Sequence, residues 1–336
     1  MNTSGLIKHA VGLAALALCS ACTGAPHMGV PSSAAFNYRY DGKMLEVNGR
    51  PVTAARLSPM PRYAMLVPEA HSSGQTFEYI INDYGTYASI FDYPKSTKEI
   101  GQIAGDGGQG CTDVLYGYGE KTFWDVGGYN LIREYRVPHR TLKTLTDSEG
   151  APSSCAMNSR GDLAVGILYG SYGGDVIIYK NATGTPVVYG TPLVREYFDG
   201  YDNKGNLFAD GFTSAYYFAL TELPKGGSKF VTIATSNTVE FPGSVQWDGT
   251  YLTVFDQIAN SMYQYTVKGT KATLKHTISF VGSSDCAQTW IVKGLVYCAD
   301  AGNNNGEVFN YPAGGSIVAT FTGKFDLPLG TVASRK

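Results

Sequence analysis

Five aspartates end short apolar runs along this chain: Asp83, Asp125, Asp210, Asp256 and Asp300. Oxygen-rich sets of this kind bind hard cations when they converge. Their regular recurrence points instead to a structural task, with each carboxylate accepting hydrogen bonds from backbone N–H groups of the following loop. Such bonds favour the charged form and hold the pKa down. One run departs from the rule and has Gly166 where the others have Asp. A second polar set, Asp113, Asn158, Asp202, Gln246 and Gln288, recurs about every 44 residues. If these side chains face a common centre, a divalent cation is the cofactor they imply; otherwise no cofactor is expected. Catalytic signatures are sparse. His27, His71, His139 and His276 come with no GxSxG elbow and no HExxH motif. The stretch Asp300 to Glu307 looks like a calcium loop, but Ala301 stands where an acidic residue is needed, five before Gly306. Arg160-Gly161-Asp162 falls in a turn that needs its glycine in any case.

The N-terminus reads as an address. Lys8 gives a positive charge, and Ala10 to Leu18 is an apolar core too short to span a bilayer. Ser20-Ala21-Cys22 follows and resembles a bacterial lipoprotein processing box, although Cys19 sits where such boxes usually have Leu. The expectation is lipid attachment at Cys22, with ordinary secretion as the alternative. Residues 1–22 read as a signal peptide and 23–35 as a flexible tether. Residues 36–76 read as an N-terminal extension of hairpin or edge strands, and 77–334 as a repeat domain. The protein would be exported and held in the cell envelope, on its periplasmic or surface side, by a lipid anchor alone, or else secreted. Export places Cys111, Cys155, Cys286 and Cys298 in an oxidising compartment. Cys111 and Cys155 occupy the same place in neighbouring repeats, and Cys286 and Cys298 fall on adjacent strands. That suggests pairs 111–155 and 286–298, with free buried thiols as the alternative. A two-residue turn at Lys293-Gly294 would put Cys286 and Cys298 on opposite faces, so the second pair calls for a three-residue turn. No CxxC pair supports zinc.

These residues are carried by a repeat. Tyr93, Tyr135, Tyr179, Leu223, Tyr265 and Tyr311 end similar segments, spaced 42, 44, 44, 42 and 46 residues apart. A period of that size built from short β segments indicates a propeller or another closed β array. Composition agrees, with 41 Gly, 24 Tyr and only 16% charged residues. Polar turns such as Asn158 to Asp162 and Asp202 to Asn206 separate first and second strands. The unit starting at Phe77 lacks a first strand, whereas 325–334 reads as a first strand with nothing after it. The prediction is all-β: a six-bladed propeller of four-stranded antiparallel blades, closed by the C-terminal strand. Phe36 to Val47 would form a hairpin about Asp41-Gly42, on a blade edge or as a degenerate seventh blade.

The hairpin turns followed by an apolar strand and Asp, as in Asn206-Leu207-Phe208-Ala209-Asp210 and Val296-Tyr297-Cys298-Ala299-Asp300, resemble the NHL and YVTN propeller repeats. Exported bacterial lipoprotein propellers show the same likeness, over about residues 75–334. The resemblance implies an architecture and not an activity. A net charge of −2 gives no field for nucleic acid. Tyr84, Tyr87, Tyr116, Tyr118, Tyr129, Tyr169, Tyr172, Tyr201, Tyr216 and Tyr217 fall near expected loops and suit contact with a protein, peptide or glycan; at least half are expected to pack between blades instead. The reading is therefore a monomeric binding or scaffold module. The alternative is a metal-dependent lactone or ester hydrolase, since propellers of the gluconolactonase type hold a metal with Glu, Asn and Asp. Glu is missing from the second polar set.

Overall fold

The computed structural model describes residues 38–40, 45–47, 50–52, 76–82, 87–105, 107–120, 122–127, 131–136, 140–147, 150–170, 173–292 and 294–335. Cys22, Asp83, Tyr84, Tyr129, Tyr172, His27, His71 and His139, with the leader and tether, lie outside the described residues. The chain divides into two units, 1–64 and 65–336. In the first, β1 (Tyr38–Tyr40), β2 (Leu45–Val47) and β3 (Arg50–Val52) form an antiparallel meander.

The second unit is all-β, with one 3-10 turn at Lys180–Ala182 among the described residues. Its strands fall into four-stranded antiparallel groups in chain order. The first contains β4 (Thr76–Asn82), β5 (Tyr87–Phe91) and β6 (Glu99–Ala104). Next come β7 (Gln109–Cys111), β8 (Thr122–Gly127), β9 (Leu131–Arg136) and β10 (Arg140–Thr146), then β11 (Pro152–Met157), β12 (Leu163–Gly170), β13 (Gly173–Tyr179) and β14 (Val187–Gly190). A further group holds β15 (Arg195–Tyr201), β16 (Leu207–Phe212), β17 (Phe218–Leu223) and β18 (Val231–Thr235). After it come β19 (Val245–Trp247), β20 (Leu252–Asp256), β21 (Ser261–Lys268) and β22 (Lys271–Val281). The last contains β23 (Cys286–Val292), β24 (Leu295–Asp300), β25 (Asn305–Asn310) and β26 (Gly314–Phe321), and β27 (Pro328–Arg335) follows. The three groups from β15 to β26 are joined by short parallel pairings of β18 with β22 and of β22 with β26. No sheet closes on itself among the described residues.

From β7 onward the first strand of each group is an inner one, and β27 takes that position beside β4. β7 lies against β27 and β11, β15 against β11 and β19, and β23 against β27. These strands approach closely: a Cβ on Gly200 in β15 would come within 2.2 Å of the Val245 carbonyl oxygen in β19. Aromatic rings fill the space between groups. Tyr79 on β4 sits 4.2 Å from Phe123 on β8, Phe91 on β5 lies 4.6 Å from Phe321 on β26, and Phe280 on β22 is 4.6 Å from Phe309 on β25. The repeated anchor has the same cause. Tyr135, Tyr179, Leu223 and Tyr265 pair with Phe123, Leu163, Leu207 and Leu252, at equivalent places on the third strands, and all are buried.

β27 pairs antiparallel with β4 from Pro328↔Asn82 to Arg335↔Thr76. Leu329, Val332 and Ala333 are buried in that position. Removing residues 326–336 would expose the inner edge of β4 and discard Leu329 and Val332, worth about 3–6 kcal/mol in burial. Differential scanning calorimetry should then show the main transition lowered by roughly 10 °C or more or split in two; an unchanged melting curve would show that this pairing does not stabilise the fold.

Candidate functional site

The inner strands surround a cavity lined by Gln109, Cys111, Cys155, Met157, Asp199, Tyr201, Gln246, Gln288 and Trp290, among others. It holds about 30 Å³, room for one or two waters. An inner strand has one edge with no neighbouring strand, and its buried N–H and C=O groups still need partners. Side chains supply them. Gln288 Oε1 accepts from Gly110 N (3.1 Å) and Thr331 N (2.8 Å), and its Nε2 donates to Gly110 O (2.8 Å). Gln246 Oε1 accepts from Ile291 N (2.9 Å), while its Nε2 donates to Leu115 O (3.0 Å). Gln109 Nε2 donates to Tyr197 O (3.0 Å), and Thr289 N donates to Ser244 Oγ (2.6 Å).

Residues 112–120, which connect β7 to β8, lie across one end of this cavity, with Thr112, Val114 and Leu115 in its wall. The loop is tied to β23 by Gly117 N to Ile291 O (2.8 Å) and by Trp290 Nε1 to Gly117 O (2.8 Å). Gly119 N to Ala333 O (2.9 Å) and Arg335 N to Gly119 O (2.7 Å) tie it to β27.

The second polar set is divided by this geometry. Gln246 and Gln288 face the cavity, whereas Asp113, Asn158 and Asp202 do not line it and close loops instead. Asn158 Oδ1 accepts from the backbone N–H of Arg160 and Asp162, and Asp202 Oδ1 from Lys204 and Asn206. Asp113 Oδ1 accepts from Glu120 N. Short polar side chains at strand ends cap their own turns more readily than they reach a distant axis. Tyr201 is buried, Tyr118 meets the Tyr297 hydroxyl at 3.1 Å, and Tyr116, Tyr216 and Tyr217 are exposed. Tyr87 donates to Lys324 O.

Two of the strand-end aspartates bind backbone on two sides. Asp256 accepts from Ile258 and Ala259 in the turn after it, and also from Glu240 and Phe241 in the segment leading into β19. Asp300 accepts from Ser284, Asp285 and Asn303. Asp125 is fully buried against Gly105, whose Cβ would lie 2.2 Å from its Oδ2. Asp210 is fully buried, and burial drives its pKa well above the usual carboxylate range despite the lowering effect of the Gly243 and Phe198 backbone nearby. A depressed pKa is therefore not general for this set.

The disulfides are Cys111–Cys155, joining inner strands β7 and β11, and Cys286–Cys298, within one sheet. Val292 pairs with Leu295, so only two residues lie between β23 and β24, not three. A one-residue register slip between Cys286 and Gln288 restores the parity: Cys286 pairs with Asp300 and so shares a face with Cys298. Glu307 lies beside these sulfurs, but disulfide sulfur is not the thiolate that metal ions require.

A second slip of this kind, in β15, assembles a group that spacing does not reveal. Glu196 and Asp199 have the wrong parity to share a face of a regular strand, but β15 slips one register between Glu196 and Phe198. Ser154 Oγ on β11 lies 3.1 Å from Glu196 Oε1 and 2.9 Å from Asp199 Oδ2, and Ser153 Oγ is 3.2 Å from Glu196 Oε2. Gly166 makes the room, since a Cβ there would fall 1.8 Å from Glu196 Oε2. The carboxylate missing from β12 is thus delivered by the neighbouring sheet. A hydroxyl has a single proton to donate, so bonds to both acids require one of them to be protonated. Burial raises Glu196 well above its ordinary value, helped by the charges of Asp199 and Asp210; burial raises Asp199 to about 7, opposed by Ser154 and the Gly166 backbone. The sequence signal for this group is the anomaly at Gly166.

No protein-family model and no curated protein sequence matches this chain. Solved structures do. The crystal structure of a nidogen/laminin complex aligns with TM-score 0.59 at 13% identity, over 77% of this chain and 98% of that one. A functionally unknown protein from Desulfotomaculum acetoxidans aligns with TM-score 0.51 at 7% identity, over 77% and 99%. Kuenenia stuttgartiensis hydrazine synthase aligns with TM-score 0.51 at 14% identity, over 70% and 81%. The nidogen/laminin and hydrazine synthase matches are propeller-type folds, and at these identities the likeness concerns fold alone.

Two outcomes follow. The folded state keeps acid protons that the unfolded chain releases, so stability falls as pH rises from about 4 to above about 7. Asp199→Asn should flatten that slope, read as melting temperature against pH; an unaltered slope would count against the shared proton. Restoring the repeat with Gly166→Asp should destabilise by about 2–4 kcal/mol by crowding Glu196. The double variant with Glu196→Ala should recover at least about half of that in urea melts, and no recovery would refute the exchange of carboxylates between sheets.

Proposed function

We propose that this chain is an exported propeller of six four-stranded blades, closed by β27 on β4, that serves as a binding or scaffold module. The six groups, the pairing of the last strand with the first group and the propeller-type neighbours support that architecture. The NHL and YVTN likeness and lipidation at Cys22 remain part of the proposal, with the protein held on a membrane surface by its lipid. No described helix is long and apolar enough to cross a membrane.

One observation carries the binding reading: the central cavity is small, and its amide side chains are engaged by the backbone of neighbouring inner strands. A hydrolase of the gluconolactonase type needs several carboxylate and amide oxygens converging on an open channel. Here Gln246 and Gln288 hold strands together, and Asp113, Asn158 and Asp202 close loops. Recognition therefore belongs on the outer surface. The purified protein should turn over no simple lactone, with or without added calcium, zinc or manganese. A stoichiometric divalent ion whose removal by EDTA abolishes lactone cleavage would replace this reading with the hydrolase.

A further inference from the structure

Arg195, at the start of β15, meets two tyrosines from neighbouring hairpins. Its guanidinium carbon lies 5.1 Å from the ring centre of Tyr169, near the end of β12, and 5.5 Å from that of Tyr216, between β16 and β17. The cation is held by the negative faces of both rings. Its charge also acts on the buried Tyr197 phenol close by.

Tyr216 has φ +60°, in the left-handed region. The turn is closed by Tyr216 N to Thr213 O (2.8 Å) and Thr213 N to Tyr217 O (2.9 Å). Among the described residues, that region is otherwise taken by glycines, by Asn181, Asn260 and Asn304, and by Ala182 and Leu327. A bulky aromatic there is strained, and strain of this kind is informative when folding gains nothing from it. Tyr216 is 63% exposed and Tyr217 beside it 73%, so neither ring contributes much to a core. Neither the central cavity nor the cleft lined by Asp202, Glu222 and Thr270 includes this group.

We propose that Tyr169, Arg195 and Tyr216, with Tyr217 beside them, bind a carboxylated sugar of an acidic glycan. This rests on the binding reading above. The guanidinium pairs with the sugar carboxylate, and the C–H face of the ring lies on exposed tyrosine. One fixed cation among flat rings suits a single anionic ring. A nucleic acid would call for a stripe of basic residues.

The test is calorimetric titration of the full mature chain with polygalacturonate oligomers, alongside their methyl-esterified forms. The acid should bind and the ester bind at least about tenfold more weakly. Arg195→Ala should weaken binding by about tenfold or more. Tyr216→Gly should weaken binding while raising the melting temperature slightly, because it relieves the left-handed strain. That opposite movement is not expected of a residue that only supports the fold. Equal binding of acid and ester, or unchanged affinity in both variants, would overturn the proposal. Absence of polygalacturonate binding in a protein that also hydrolyses no lactone would overturn the glycan site and leave the binding reading standing. EDTA-sensitive hydrolysis would overturn the binding reading itself.

Discussion

The inner strands bring unpaired backbone edges to a place with room for only one or two waters. Each buried N–H and C=O there needs a partner, and much of the rest follows from that need. Gln288 reaches both Gly110 and Thr331, so one side chain links β23 to β7 and β27. Gln246 joins β23 to the loop after β7. Glutamine suits the task because its amide both donates and accepts, on a stem long enough to cross between strands. A centre built this way is a set of mutual supports and leaves few polar atoms for a ligand.

A second constraint concerns direction. Inner strands β11, β15, β23 and β27 each slip by one residue against their first neighbour, around positions 153, 197, 287 and 329. A bulge turns the side chains beyond it to the other face. It brings Cys286 onto the side of Cys298, and Glu196 onto the side of Asp199. The two disulfides differ in reach as a result. One fastens neighbouring sheets, and the other closes a single hairpin.

The architecture was legible because it repeats. Tyr135, Tyr179 and Tyr265 recur at multiples of about 42–46 residues since each takes the equivalent buried place on a third strand, and the missing strand before Phe77 matches the surplus strand at 328–335. The candidate site was far less legible. Alternation along a strand identifies faces only until a bulge intervenes, and no residue type at 153, 197, 287 or 329 announces one. Asp113, Asn158 and Asp202 shared a period with Gln246 and Gln288, but side-chain length separates them. A short carboxylate or amide turns back on its own loop, while glutamine crosses. Glu196 was hidden because its role belongs to another repeat's vacancy at Gly166. The Tyr169–Arg195–Tyr216 stack depends on a backbone angle that sequence does not print.

The pairing of β27 with β4 also orders events in time. Thr331 donates to Glu78 across 253 residues of chain, and Gly119 is held by Ala333 and Arg335. A ribosome delivers Glu78 long before Thr331, so the first sheet waits, with an open inner edge, for the whole intervening chain to be made. Contacts so distant in sequence are slow to form, and waiting edges invite association with other chains. The sheet that starts with β4 is therefore completed only after the whole of the intervening chain has been made.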